Sequence, residues 1–350
     1  MNASKTIQSI YDFSFEELQQ YILDLGESAY RAEQIWRGLY CDLFTDWEDF
    51  STLPKQLRNI LKSRLIFHNL VPVKTISSPD NSTQKILFHL PDGSPVESVL
   101  MYDGKRITIC LSTQSGCAMG CTFCATGKLG LLKNLTSGEI VEQVIFHTRE
   151  LKATGQSISN IVFMGMGEPF NNYESLLFAI HIFKDGRGLK IGSRRITVST
   201  IGIIPYILRF AEKEPQVNLA ISLHAPNDAL RSFLVPINKR YPITELISEC
   251  HAYIQKTHRR ISFEYVLIDG VNDSMEDARQ LSILLKGLLC HINLIPLNPI
   301  DGSVQKPPNR NSILSFCKLL ENNNLTTTIR KSMGSEINAA CGQLSGQKLE

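Results

Sequence analysis

Cys117, Cys121 and Cys124 place three thiols within eight residues, in Cys117-Ala118-Met119-Gly120-Cys121-Thr122-Phe123-Cys124. Thiols that close together ask for a metal, a redox or a nucleophilic role. A structural zinc wants four closed ligands, and no histidine or fourth cysteine follows at finger spacing. Cys121-Thr122-Phe123-Cys124 alone has the form of a thioredoxin-type pair, but that leaves Cys117 without a use. A third reading is a [4Fe–4S] cluster. Such clusters usually take four cysteines, so three would leave one iron open to a ligand that is not protein.

Other polar groups fall just after apolar runs. Gly165-Met166-Gly167-Glu168-Pro169 offers glycines that let the backbone approach a ligand and a carboxylate that can pair with an ammonium. Alone it would be a turn. Ser199, Ser222-Leu223-His224 and Asn298 each follow or end a strand-like run. Singly, each reads as a loop residue satisfying backbone; together they suit the lining of a polar pocket. With the C-x3-C-x2-C loop, these elements resemble the radical S-adenosylmethionine (SAM) superfamily. That resemblance implies Cys117, Cys121 and Cys124 as cluster ligands, SAM on the fourth iron, and Gly167, Glu168, Ser199, Ser222, Leu223, His224 and Asn298 as SAM-binding positions.

Two further cysteines stand apart. Cys110 opens Cys110-Leu111-Ser112-Thr113-Gln114-Ser115-Gly116, directly before the cluster loop. Cys341 sits among small residues in Asn338-Ala339-Ala340-Cys341-Gly342-Gln343-Leu344, a setting that suits an accessible thiol. Cys41, Cys250, Cys290 and Cys317 lie in apolar or helical settings and read as small buried hydrophobes.

In order along nearly the whole chain, the sequence resembles the RlmN/Cfr family of radical SAM RNA methyltransferases. The resemblance is carried by Tyr30-Arg31-Ala32-Glu33-Gln34-Ile35-Trp36, Val96-Glu97-Ser98-Val99, the cluster loop, Gly165–Pro169, Val198-Ser199-Thr200, Ser222-Leu223-His224, Asn293-Leu294-Ile295-Pro296-Leu297-Asn298-Pro299 and Ala339–Leu344. Met333, Glu336 and Asn338 depart from the arginine, aspartate and acid common there, and nine residues follow Cys341. These departures bear on how the Cys341 loop is held and on how much RNA contact the C-terminal part supplies.

The resemblance implies methylation of adenine C2, an electron-poor carbon that a methyl cation attacks poorly. Two SAM molecules serve each turnover. One methylates Cys341, giving S-methylcysteine; the other yields a 5′-deoxyadenosyl radical. Glu97 is the implied proton acceptor, and Cys110 resolves the RNA adduct through a transient disulfide with Cys341. The implied partners are 23S rRNA at the peptidyl-transferase region, tRNA at the adenine 3′ of the anticodon, and a reduced flavodoxin- or ferredoxin-type electron donor. The sister activity, methylation at adenine C8, shares nearly every motif. A glycyl-radical activase would leave Cys110, Cys341 and Glu97 idle. A non-enzymatic iron–sulfur or zinc RNA-binding module would not need an open iron site.

The elements that must position these groups are legible as patterns. The chain has 350 residues, 43% hydrophobic and 20% charged, which fits one large or two ordinary domains and excludes disorder or coiled coil for the whole. The net charge of +2 is too balanced for a protein coated in nucleic acid, yet leaves room for a local basic groove. Lys184–Arg195, with five basic residues and three glycines, is the favoured RNA patch; Lys128, Lys133, Lys239, Arg240, Arg259, Arg260, Arg330 and Lys331 are further candidates. Met1–Ile10 lacks the apolar core of a signal peptide, and no run of about 18 apolar residues occurs, so a cytoplasmic protein without a membrane span is expected. A monomer is the expected state.

Residues 1–65 read as three short helices: one capped by Ser14-Phe15-Glu16-Glu17, one carrying Ile35, Trp36 and Leu39, one after Pro54. They form the expected N-terminal RNA-binding accessory domain. Residues 66–109 read as an antiparallel β linker, with turns at Pro91-Asp92-Gly93 and Asp103-Gly104. Residues 110–350 read as the radical SAM core. Apolar runs at Ile107–Leu111, Asn160–Met164, Arg195–Ser199, Asn218–Leu223, Ser262–Leu267 and His291–Leu297 alternate with helical patterns, as buried parallel strands do. The expected fold class is α/β, a partial (β/α)6 TIM-type barrel working at its C-terminal mouth. The polar stretch Asp301–Ser312 is expected to be a surface loop.

Overall fold

The computed structural model describes residues 8–346; the first seven residues and the last four, including most of the N-terminal stretch read for a signal segment, lie outside the described residues. The chain opens with β1 (Gln8–Ser9), α1 (Phe15–Asp24), α2 (Tyr30–Arg37), α3 (Lys55–Arg64) and β2 (Leu65–Ile66), which pairs with β1. Ser14 Oγ accepts from Glu17 N while the Glu17 carboxylate accepts from Ser14 N, so both orphan amides are satisfied. The helices close over an aromatic core in which Phe15 meets Trp36 edge-on at 5.5 Å and Trp47 meets Phe67 at 5.2 Å. After α2 the chain widens into a five-residue π turn, Gly38–Asp42. Only glycine fits at its start, because a Cβ on Gly38 would collide with the Phe50 ring.

The linker then builds β3 (Val71–Ser77), β4 (Thr83–His89), β5 (Pro95–Asp103) and β6 (Arg106–Cys110), each antiparallel to the next. A short ribbon follows: β7 (Gln114–Cys117), α4 (Ala125–Leu129) and β8 (Gly130–Asn134). The alternating part runs α5 (Ser137–Ala153), β9 (Asn160–Phe163), α6 (Tyr173–Lys184), β10 (Ile196–Thr200), α7 (Ile204–Lys213), β11 (Asn218–Ser222), α8 (Asp228–Leu234), α9 (Ile243–Thr257), β12 (Ile261–Leu267), α10 (Met275–Leu284), β13 (Cys290–Pro296), α11 (Arg310–Asn322) and β14 (Thr327–Ile329).

One sheet holds ten strands in the order β14-β13-β12-β11-β10-β9-β6-β5-β4-β3. β6 is its hinge: it runs antiparallel to β5 and parallel to β9. From β6 to β14 all seven strands are parallel, one more than the six expected, because Thr327–Ile329 adds a short strand beside β13. The parallel strands bury Ile109, Ile161, Phe163, Val198, Ile221, Phe263 and Ile292 almost completely, which is why they read as apolar runs.

The helical cap is fastened to the barrel by buried polar groups. The Glu142 carboxylate on α5 accepts from the amides of Asn69 and Leu70, and Asp12 accepts from Gly138 N at the start of α5. Two local expectations are corrected. Arg310–Ser312 belong to the first turn of α11, because the Asn309 side chain caps it by accepting from Ser312 N; only the earlier part of that stretch is loop. Cys41 is exposed, not a buried hydrophobe, since the π turn swings it outward to donate to Arg187 O. Among the described residues no helix is long and apolar enough to cross a membrane.

Candidate active site

The cluster loop grows from the ribbon beside β6. Cys117 ends β7 opposite Gly130, and Gly116 takes φ +74° with no room for a side chain against the Gly130 carbonyl. The loop then curls through Cys121 and Cys124, held by Cys124 N to Cys121 O at 3.2 Å and Thr122 N to Leu234 O at 3.1 Å. Burial pushes the Cys117 thiol up to about 12 and Cys121 well above its usual range, and the neighbouring thiols add to both. Thiols pushed that way need a cation beside them before they can serve as thiolates. No group of three or more His, Cys, Asp or Glu among the described residues is arranged to hold a single metal ion.

The three thiols form one wall of a cavity of about 240 Å³ at the C-terminal ends of the parallel strands. Cys110, Gly167, Glu168, Ser199, Ser222, His224, Asn298 and Cys341 line the same cavity. Residues from β6, β10, β11, β12 and β13 meet there, so the sheet must curve around it.

Glu168 is buried with both oxygens braced. Oε1 accepts from Thr200 Oγ1 at 2.6 Å and Phe170 N at 3.0 Å, and Oε2 from Ile201 N at 2.8 Å. Burial still pushes its pKa up to about 7, a carboxylate short of a cation. Gly167, at φ +102°, packs its backbone on Gln114, where a Cβ would lie 2.6 Å from the Gln114 side chain. His224, at φ +60°, accepts from Val266 N through Nδ1 at 3.1 Å. Burial drives its pKa down to about 3, so the ring is neutral and carries its proton on Nε2. Leu223 does not line the cavity; it is fully buried in the core beneath.

The second pair of thiols also meets here, although 231 positions separate Cys110 from Cys341. Cys110 ends β6, and burial pushes its thiol far up, with the nearby Cys341 adding to the shift. Cys341 is accessible from the cavity; the surrounding protein raises its thiol pKa while the Arg330 guanidinium opposes that. Its loop is pinned by Asn298 Nδ2 to Cys341 O at 3.1 Å, Ala125 N to Gly342 O at 2.7 Å and Gln343 Nε2 to Pro299 O at 2.8 Å.

Glu97 lies outside the cavity wall. Its side chain is 1% exposed, its Oε1 is 2.9 Å from Lys85 Nζ, and its Oε2 accepts from the amides of Ser345 and Gly346. The segment after Cys341 therefore covers it.

Glu264, Arg330 and Lys331 line the cavity as well, the first not read from the sequence at all and the others read only as basic candidates. Glu264 was visible as the lone charge in the apolar strand β12; it accepts from Asn293 Nδ2 at 2.8 Å. The favoured patch Lys184–Arg195 is partly neutralised, with Lys184 paired to Glu214 and Arg187 to Asp185 and Glu16. Lys133 pairs with Glu139.

The sequence and the fold both have counterparts among known proteins. Residues 111–281 match the family model of the radical SAM superfamily, and residues 8–66 that of the ribosomal RNA large subunit methyltransferase N-terminal domain. The chain is 45% identical over 349 residues to a probable dual-specificity RNA methyltransferase RlmN of Chloroflexus aurantiacus, covering 97% of this chain and 93% of that one. The RlmN of Geobacillus kaustophilus is 45% identical over 98% of this chain and 93% of its own. The crystal structure of a radical SAM methyltransferase from Sphaerobacter thermophilus superposes with a TM-score of 0.95 at 48% identity, covering 97% of this chain and all of that one.

Proposed function

Because the chain belongs to the RlmN family of dual-specificity radical SAM RNA methyltransferases, we propose that it methylates C2 of adenine in 23S rRNA, at the peptidyl-transferase region, and in tRNA, 3′ of the anticodon. The RlmN name of its relatives supports C2 over C8. The observation that carries the reading is the meeting of Cys110 and Cys341 in the cavity walled by Cys117, Cys121 and Cys124.

The superfamily implies a [4Fe–4S] cluster and SAM. In this reading Cys117, Cys121 and Cys124 hold the cluster, and the braced Glu168 takes the SAM ammonium beside Gly167. Ser199, Ser222, His224 and Asn298 line the remaining space, and His224 offers its Nε2 proton. Leu223 contributes through its backbone. When bound, cluster and SAM supply a methyl group and a one-electron route to a carbon radical.

The remaining steps belong to the chain. The Cys341 sulfur accepts the first methyl as a nucleophile, which the cation of Arg330 favours by opposing the effect of burial on the thiol. The methyl carbon carried by Cys341, after losing one hydrogen atom to the one-electron chemistry that bound cluster and SAM would supply, bonds to adenine C2. Glu97 takes the C2 proton once the segment at Ser345 and Gly346 moves off its carboxylate. The Cys110 thiolate attacks the Cys341 sulfur and breaks its bond to the methylene carbon, which takes up a proton as the methylated base leaves; the electron left over from the radical addition would pass back to the cluster, and an external thiol reduces the disulfide. The adenine must leave its stack to enter the cavity. Arg330 and Lys331, both on the cavity wall, are the basic groups placed to meet its phosphate. Residues 1–65 serve as the RNA-binding accessory unit, residues 66–109 as the linker and residues 110–350 as the catalytic core of a monomer that a flavodoxin- or ferredoxin-type donor reduces.

The test is anaerobic. The reconstituted protein is incubated with SAM bearing a deuterated methyl, and the peptide containing Cys341 is weighed. A labelled methyl or methylene on that sulfur is expected, with 2-methyladenosine in the RNA digest. An unlabelled Cys341 in a chain that still cleaves SAM overturns the reading.

A further inference from the structure

Arg231, on α8, is a buried guanidinium with no carboxylate partner. It is 0% exposed, and each hydrogen bond it donates among the described residues goes to a neutral oxygen. Its donors go to neutral acceptors: Nε to Leu223 O at 3.1 Å, Nη1 to Asn238 Oδ1 at 2.8 Å, and Nη2 to Ile201 O at 2.6 Å and Ser222 O at 3.3 Å. The nearby Asp228 carboxylate is turned away, accepting from Asn238 Nδ2 and Ile243 N. Burial lowers its pKa to about 10, which still leaves it charged at neutral pH.

A buried charge without an anion is costly and is retained where an anion lies close. Ile201 and Ser222, whose carbonyls Arg231 holds, both line the cavity. The carbonyl of Leu234, at the end of the same helix, takes the amide of Thr122, between Cys121 and Cys124. The guanidinium thus lies against the backbone of the cavity wall, on a helix whose end is hydrogen-bonded into the cluster loop.

We infer that Arg231 is the built-in counter-charge of the cluster site, raising the cluster's reduction potential by stabilising its reduced form. Reduction adds a negative charge to a centre that three thiolates already make anionic. A fixed cation beside it favours that step, and net charge is a main determinant of such potentials. The inference rests on the three-thiolate ligand set proposed above.

The test is an EPR-monitored potentiometric titration of the reconstituted cluster, without SAM or RNA, at matched iron content. At the wild-type midpoint, Arg231→Gln is expected to lower the reduced-to-oxidised ratio by about tenfold, which is about 59 mV for one electron. Arg231→Lys, which keeps the charge and loses the fork of hydrogen bonds, should stay within about twofold on the same scale. Arg231→Met, an unbranched apolar replacement, should lower the ratio in the same direction even if the glutamine variant does not fold. A wild-type midpoint in Arg231→Met or Arg231→Gln overturns the inference, as does an equal fall in Arg231→Lys and Arg231→Gln. A wild-type chain that takes up no [4Fe–4S] cluster overturns the ligand set itself, and the inference with it.

Discussion

Lys85 Nζ lies 2.9 Å from Glu97 Oε1, with the two side chains 4% and 1% exposed, and the same ammonium donates to Asn338 O at 3.0 Å. The ammonium therefore ties the carboxylate assigned the C2 proton to the loop that carries Cys341. Breaking a buried pair by removing one partner typically costs about 3–5 kcal/mol, because the other charge is left buried alone. Lys85→Met is expected to lose about that much stability in chemical denaturation, and to turn over RNA more slowly. Wild-type denaturation would show that the pair is not closed in solution.

Cys341→Ala is expected to abolish methylation, since no sulfur remains to carry the methyl. Cys110→Ala should leave RNA joined to protein, visible as a slow band on a denaturing gel that protease releases. Free methylated RNA at normal yield from Cys110→Ala would remove Cys110 from the resolving role.

Glu168 sets a pH dependence. Burial raises its pKa to about 7, so the unliganded site binds a proton in place of a cation as the pH falls below that value. Affinity for SAM should therefore fall with decreasing pH through about 7, by at most about tenfold per unit. Thr200→Val removes the donor at 2.6 Å and should move the inflection upward. Isothermal titration across the range reads both; a flat profile would assign the ammonium to another group.

Gly116→Ala strains a positive φ and drives a methyl into the Gly130 carbonyl, so the ribbon bearing Cys117 must open. Iron per chain after reconstitution should fall well below wild type while the far-UV spectrum holds.

Much of this was legible in residue patterns. The six parallel strands were legible because most of them are largely buried apolar runs, although β10 alternates as Ile-Thr-Val-Ser-Thr. Ser14 and Glu17 announced α1 because a capping box is local chemistry. The ribbon β7–β8 was not legible: Gln114-Ser115-Gly116-Cys117 has no alternation, and its pairing comes from the backbone around the cysteines. β14 is three residues long, too short to show a period. Most of the residues singled out by motif line the cavity, but their relations had no signature in the sequence. That Ser345 and Gly346 would close over Glu97, 248 and 249 positions away, is a tertiary fact with no local signature. Glu264 carried a signal, a single charge in an apolar strand, that only its neighbours on β11 and β13 turn into a place on the cavity wall.

The outer edge of the ten-stranded sheet is β3, where Val71 and Val73 are exposed. A long bare edge invites another chain to add a strand. Here Pro72 has no amide hydrogen to offer, and the pairing with β4 slips between Pro72 and Lys74. The kink and the missing donor spoil the template at its most apolar point, so the sheet ends in a form that discourages self-association while its opposite half does the chemistry.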